Sequence, residues 1–174
     1  GKHLADGERS MIALFKESAD TFKNSDVGVL IPFYVFYNAL DKFIDSTYQV
    51  VISQATDNSR LNSFDVELLK VLFMVKYVKE IKTNVENLAT LMITNIDEDR
   101  IALKKQIEES LLRLINETFV QKNGDTYMFL SNEEQEINRR IGEESAEMAE
   151  IINETSVVIF QDVIRETKYR YVAP

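Results

Sequence analysis

The chain has no cysteine and no tryptophan, a single histidine, two prolines and five glycines among 174 residues. Without cysteine there is no disulfide, no thiolate metal site and no thiol nucleophile. One histidine excludes a multi-histidine metal cluster and leaves little for imidazole acid–base chemistry. Its position, His3, at the start of the chain, reads as incidental. Scarce glycine and proline favour long regular elements over loops. Long hydrophobic runs are missing as well. The longest uncharged stretch lies between Asp26 and Asp41, is fourteen residues long and contains Pro32. A spanning helix needs roughly 20 apolar residues, so no membrane partner is expected. The beginning of the chain, with Lys2, Asp6, Glu8 and Arg9, has no apolar core of a signal peptide, which points to a cytoplasmic protein. An initial glycine in place of methionine points to a piece of something longer.

Basic residues are the minority charge. Twenty Lys and Arg face 29 Asp and Glu, a net charge of −9, with 45% hydrophobic residues. Residues 61–130 hold 9 basic and 11 acidic side chains, and residues 131–174 hold 5 and 10. An acidic chain is a poor non-specific partner for nucleic acid, because phosphate affinity comes from clustered cations.

Helical periodicity dominates what is present. Met11, Ile12, Phe15, Ala19 and Phe22 make a first apolar stripe over residues 10–23. Pro32 is placed to open a second helix reaching Ala55, with Phe33, Phe36, Tyr37, Leu40, Phe43, Ile44, Tyr48, Val51 and Ile52 along one side. Such aromatic density reads as core, with an exposed docking surface as the other reading. A polar break at Asp57, Asn58, Ser59 and Asn62 follows.

Three further helices are expected over 64–76, from Thr83, and over 98–117. Thr83 with Glu86 reads as a capping box. The period then switches from 3.6 to 2 in Phe119–Lys122 and Asp125–Leu130, around Asn123-Gly124, the pair preferred in a type I′ hairpin. Ser131 with Glu134 reads as another capping box. It opens a helix carrying Ile137 and Ile141, interrupted at Gly142 and resumed over 144–167. Lys168–Val172 alternates like an edge strand.

The fold class expected is mainly α: a helical lid-like segment over 1–60, a winged-helix domain over 61–131 and a C-terminal helical segment over 132–174. In a winged helix the third helix and the wing approach a partner. On them Arg100, Lys104, Lys105, Lys122 and Asn123 are the candidate contacts for DNA or another partner. Glu108, Glu109 and Glu117 share that surface, so a solvated, charge-laced helix competes with DNA binding.

Catalytic motifs are missing. The glycines at 1, 7, 28, 124 and 142 cannot form a phosphate loop of the Walker A pattern, and no GxGxxG, HExxH, GxSxG or EF-hand pattern occurs. Paired carboxylates (Asp97/Asp99, Glu108/Glu109, Glu133/Glu134, Glu143/Glu144) fit helix starts and solvated faces. No catalytic residue, metal ligand or cofactor is assigned.

Two stretches carry a resemblance. Leu103-Lys-Lys-Gln-Ile-Glu-Glu-Ser-Leu-Leu-Arg-Leu-Ile-Asn-Glu-Thr-Phe-Val-Gln121 is one. Asn123-Gly-Asp-Thr-Tyr-Met-Phe-Leu-Ser-Asn-Glu-Glu-Gln-Glu-Ile-Asn138 is the more specific. With Lys168-Tyr-Arg-Tyr171 they resemble the large P-loop ATPase of the BREX phage-defence system (the BrxC/PglY family), over residues 8–171. That family is similar to AAA+ and STAND ATPases, in which a nucleotide-binding core is followed by a helical lid and a winged helix. The resemblance implies a fragment beyond that core, with Arg9 of Gly7-Glu8-Arg9 as a sensor-2-like arginine. ATP and Mg would belong to the parent enzyme, since Walker A and Walker B are absent here. The implied partners are the chain's own upstream nucleotide-binding domain and other BREX proteins. A winged-helix DNA-binding module is the alternative.

Overall fold

The structure, a computed structural model, describes residue 13 and residues 16–76 and 78–166. His3, Arg9, Met11, Ile12, Phe15 and Lys168–Val172 lie outside the described residues. The first stripe is therefore visible only as helical residues 16–20, ended by turns at 21–24.

The protein is mainly helical. Helix α1 spans Val35–Leu40 and runs into a 3-10 turn at Asp41–Phe43. Helices α2 (Ser46–Asp57), α3 (Ser63–Val75), α4 (Val85–Met92) and α5 (Arg100–Asn116) follow. Strands β1 (Val120–Asn123) and β2 (Thr126–Phe129) form an antiparallel hairpin, and α6 covers Asn132–Glu166. The chain divides between Gln135 and Glu136 into two compact units. No helix among the described residues is long and apolar enough to cross a membrane.

The single helix expected over 33–55 is two. Ile44 takes an extended conformation (ψ 135°), and the Asp45 carboxylate restarts the chain as α2 by accepting from Thr47 N at 2.9 Å. Apolar periodicity passes through this break and so conceals it. Pro32 does not open α1 either. It sits two residues before the cap, Tyr34, and its carbonyl accepts from Val35 N. The stretch ahead of it is pinned to the far end of α4: Leu30 N donates to Thr94 O at 2.8 Å, Phe33 N to Leu91 O at 2.9 Å and Ile96 N to Gly28 O at 2.9 Å. Gly28 has a φ of +101°, and an added Cβ would lie 3.1 Å from Ile96 Cγ2, so the close approach requires glycine there.

Helices α3, α4 and α5 with the hairpin make the winged-helix arrangement. Leu68, Leu72, Leu88, Ile107, Leu111 and Phe129 are all buried in one core, which Tyr37, Val51, Ile52 and Ala55 from α1 and α2 join. The aromatic residues are therefore mostly core: Tyr48 and Phe73 rings lie 6.1 and 5.3 Å from that of Phe129, while Phe43 remains exposed.

Helix α4 begins differently from the expected Thr83–Glu86 box. Its cap is Asn84, whose side chain accepts from Asn87 N at 2.9 Å. Thr83 is occupied elsewhere, with its carbonyl taking Tyr127 N and its hydroxyl donating to Tyr127 O. It is thus tied to β2 by backbone and side-chain hydrogen bonds to Tyr127. In the hairpin Asn123 pairs with Thr126, which leaves Gly124 and Asp125 as the two loop residues. Only Gly124 (φ 61°) has a positive φ, the pattern of a type II′ turn rather than the expected I′.

Helix α5 closes with a Schellman motif: Phe119 N donates to Leu114 O and Thr118 N to Ile115 O. Thr118 occupies the left-handed position (φ 65°), where a β-branched residue is strained. Thr118→Gly should therefore raise stability, by about 0.5–1 kcal/mol, in urea unfolding.

The Ser131–Glu134 box is present, with Ser131 N donating to the Glu134 carboxylate at 2.7 Å and Glu134 N to the Ser131 hydroxyl at 3.3 Å. Lys76, at the end of α3, also pairs with Glu134. Gly142 does not interrupt α6, which runs unbroken for 35 residues. One interior glycine costs roughly 1 kcal/mol against alanine, which a helix of this length absorbs.

Candidate functional site

The candidate face is built on the first turns of α5 and on the wing. Asp99 fixes where α5 starts, its carboxylate accepting from Ile101 N and Ala102 N at 2.9 and 3.2 Å. The cations that follow are not left for a ligand. The Arg100 guanidinium lies 3.0 Å from Glu86 Oε1 and 3.1 Å from the Thr90 hydroxyl, both on α4. Lys104 pairs with the other oxygen of Glu86. Hydrogen bonds from Lys104 first, and then Arg100, hold the Glu86 carboxyl below its ordinary pKa. Two cations thus share one acid, and their donors point at α4.

The remaining candidates are scattered over the same face. Lys105 is exposed, with no ion pair among the described residues, and Glu108 and Glu109 are exposed on the turn after it. Lys122 lies over the Tyr127 ring, 5.7 Å from its centroid. Asn123 ends β1, and its carbonyl accepts from the Thr126 hydroxyl at 2.8 Å. Arg9 lies outside the described residues. The structure therefore joins Arg100 and Lys104 through Glu86 and places Lys122 and Asn123 together on the wing. It builds no cluster of free cations from them. Among the described residues, no group of three or more His, Asp or Glu is arranged to hold a metal.

What α5 does present is a mixed stripe. Ile101, Lys105, Glu108 and Leu112 recur at helical spacing on its outer side, with Ile101 82% and Leu112 61% exposed. Apolar ends around one opposed pair of charges offer little to a phosphate backbone and more to a protein surface.

One group that orients α5 was not legible in the sequence. Asp65 is completely buried on α3, and Arg113 of α5 grips it with Nε at 2.9 Å and Nη2 at 2.8 Å. Asn62 N donates to the same carboxylate at 2.9 Å while the Asn62 side chain accepts from Asp65 N, a capping box. Burial pushes the Asp65 carboxyl up. Arg113, the nearby Ser110 hydroxyl and the Asn62 N–H together outweigh it and hold the pKa below the ordinary range. Ser110 Oγ is itself buried and, among the described residues, outside hydrogen-bond geometry with any partner. The Asn62-x-x-Asp65 spacing was the available signal, since it spells the cap, but nothing in it names Arg113.

No family model matches the chain, and no solved structure matches it.

Proposed function

We propose that the chain is a non-catalytic regulatory and interaction fragment of a BREX-type defence ATPase, coupling nucleotide state to protein partners. The observation that supports this most is the double pairing of Glu86. Of the four cations on the winged-helix face, Arg100 and Lys104 are already engaged by one acid of the same domain, which offsets one of their two charges. The outer stripe of α5 is apolar and balanced in charge. In this reading the upstream nucleotide-binding domain supplies ATP and Mg, and other BREX proteins are the partners. The fragment hydrolyses nothing, because it holds no backbone cradle and lysine for the β- and γ-phosphates.

Titration of a duplex against the chain at several salt concentrations tests it. Binding should be weak, with a slope corresponding to about three released counterions, from Lys105, Lys122 and the one charge of Arg100 and Lys104 that Glu86 leaves uncompensated. Glu86→Gln should strengthen it by freeing Arg100 and Lys104. Tight binding at physiological salt, lost on reversing Lys105 and Lys122, would make the winged-helix DNA-binding module the right reading instead. The positive arm uses purified BREX proteins, where Ile101→Asp with Leu112→Asp should abolish a contact that the unaltered chain makes.

A further inference from the structure

Helix α6 carries a second, separate surface. Ile137, Ile141, Met148, Ile151 and Ile152 recur on one side of it and are each more than half exposed. On a helix turning 100° per residue these five fall within an arc of roughly 100°, the width of a face made for packing. Scattered exposed apolar residues need no explanation, but this stripe extends over four turns, broken once by the exposed Glu144 between Ile141 and Met148, and marks a contact surface with an acid inside it.

The charges beside that stripe specify what covers it. Glu143, Glu147, Glu150 and Glu154 stand on one flank, at spacings of four, three and four residues. All four are exposed. Among the described residues, only Glu143 of these four is paired, with Arg139. Like charges at these spacings repel and weaken an isolated helix. The opposite flank, with Gly142, Ser145 and Ala149, is small and uncharged and lets another helix approach closely. Anionic lipid and nucleic acid are both repelled by the glutamate row. A second copy of α6 laid antiparallel brings the two glutamate rows together. Laid parallel, it offers the row no cation.

We propose that α6 is the docking surface for a cationic amphipathic helix of another protein segment. The apolar stripe receives that helix's apolar side, and the Glu147–Glu150–Glu154 row receives its Lys or Arg flank. This contact is independent of the α5 face, and it stands or falls without the assignment to a defence ATPase.

The test uses the full 174-residue chain and three fluorescent peptides, read by anisotropy. One is a leucine-striped helix with a lysine flank, the second carries glutamates in place of the lysines, and the third scrambles the first at constant charge. The lysine helix should bind, and more weakly as salt rises. The glutamate and scrambled helices should bind at least about tenfold less well. Met148→Lys with Ile152→Lys should abolish binding. Both positions are exposed, so circular dichroism should show the fold intact. Reversing the row with Glu147→Lys, Glu150→Lys and Glu154→Lys should switch preference to the glutamate helix. Equal binding of the scrambled peptide, no binding of the lysine helix, or no switch in the reversed variant would overturn the proposal. So would a self-association in sedimentation that Met148→Lys with Ile152→Lys removes, because a second copy would then be the occupant.

Discussion

Arg113→Met should cost about 3 kcal/mol of stability, the lower end of what breaking a buried ion pair costs. The lower end applies because the Arg113 side chain is 36% exposed, whereas Asp65 is fully buried. Methionine keeps the length of the side chain but withdraws two hydrogen bonds and the charge that compensates the carboxylate. Asp65 would then remain in the core with only the Asn62 N–H as a firm donor. The pH dependence gives an independent signature. In the unaltered protein the folded-state pKa of Asp65 is depressed. Its contribution is therefore complete above the unfolded value of about 3.9 and is lost as pH falls through the folded value. In Arg113→Met, burial is no longer outweighed and the folded pKa should rise above the unfolded one. The sign then reverses: lowering the pH through the raised value should recover part of the lost stability. Urea midpoints measured between about pH 3 and pH 7 distinguish the two. A midpoint that moves by less than about 0.5 kcal/mol equivalent would show that the pair does not hold α3 to α5.

Phe129→Ala should be at least as damaging, at roughly 3–5 kcal/mol. Phe129 is completely buried on β2, and it is where the wing meets the helices. The Phe73 ring stands 5.3 Å from it, the Tyr48 ring 6.1 Å, and the Lys76 ammonium 5.7 Å over its face. Removal opens a cavity bounded by α2, α3 and the hairpin, which these rigid neighbours cannot close. Met128 is the matched control. It is the next residue in the strand, so it points to the opposite side, and it is 41% exposed. Met128→Ala should change stability by no more than about 0.5 kcal/mol. Thermal or urea unfolding of the two variants side by side checks the expectation, and similar losses would mean that the strand register is wrong.

Much of the winged-helix core could be read from the sequence because it obeys local periodicity. Leu68 and Leu72 lie one turn apart, as do Ile107 and Leu111, so each pair shares one face of its helix and is buried together. The hairpin was legible from one Asn-Gly dipeptide, although the turn it forms uses Gly124 and Asp125. The readings that failed depended on partners far away in the chain. Thr83 reads as a cap by spacing, but Tyr127, forty-four residues later, takes both its carbonyl and its hydroxyl. Arg100 and Lys104 read as DNA contacts or as part of a charge-laced face shared with Glu108, Glu109 and Glu117 of their own helix, while the acid that pairs with them, Glu86, reaches them from α4. Arg113 resembles any surface arginine until Asp65 is placed beneath it. Gly142 reads as a break because composition alone does not report how much helix lies on either side.

Tyr37 gives the molecule an optical reporter of its own. With no tryptophan in the chain, absorption at about 280 nm and the dominant emission belong to the seven tyrosines. Tyr37 is buried against the Phe73 ring, 6.1 Å away, with the Lys70 ammonium 5.1 Å over its own ring. Burial, aided by Asp41, pushes its phenol up to about 12. A raised phenol pKa leaves its share of stability complete below the unfolded value of about 10 and removes it as pH climbs through the folded one. Phenolate absorbance from Tyr37, and from Tyr34, whose phenol burial and Glu67 also push up, therefore appears late in an alkaline titration while α1 stays packed, and early once it is released. Together these two tyrosines signal, without any label, whether the segment before the winged helix is still packed against it.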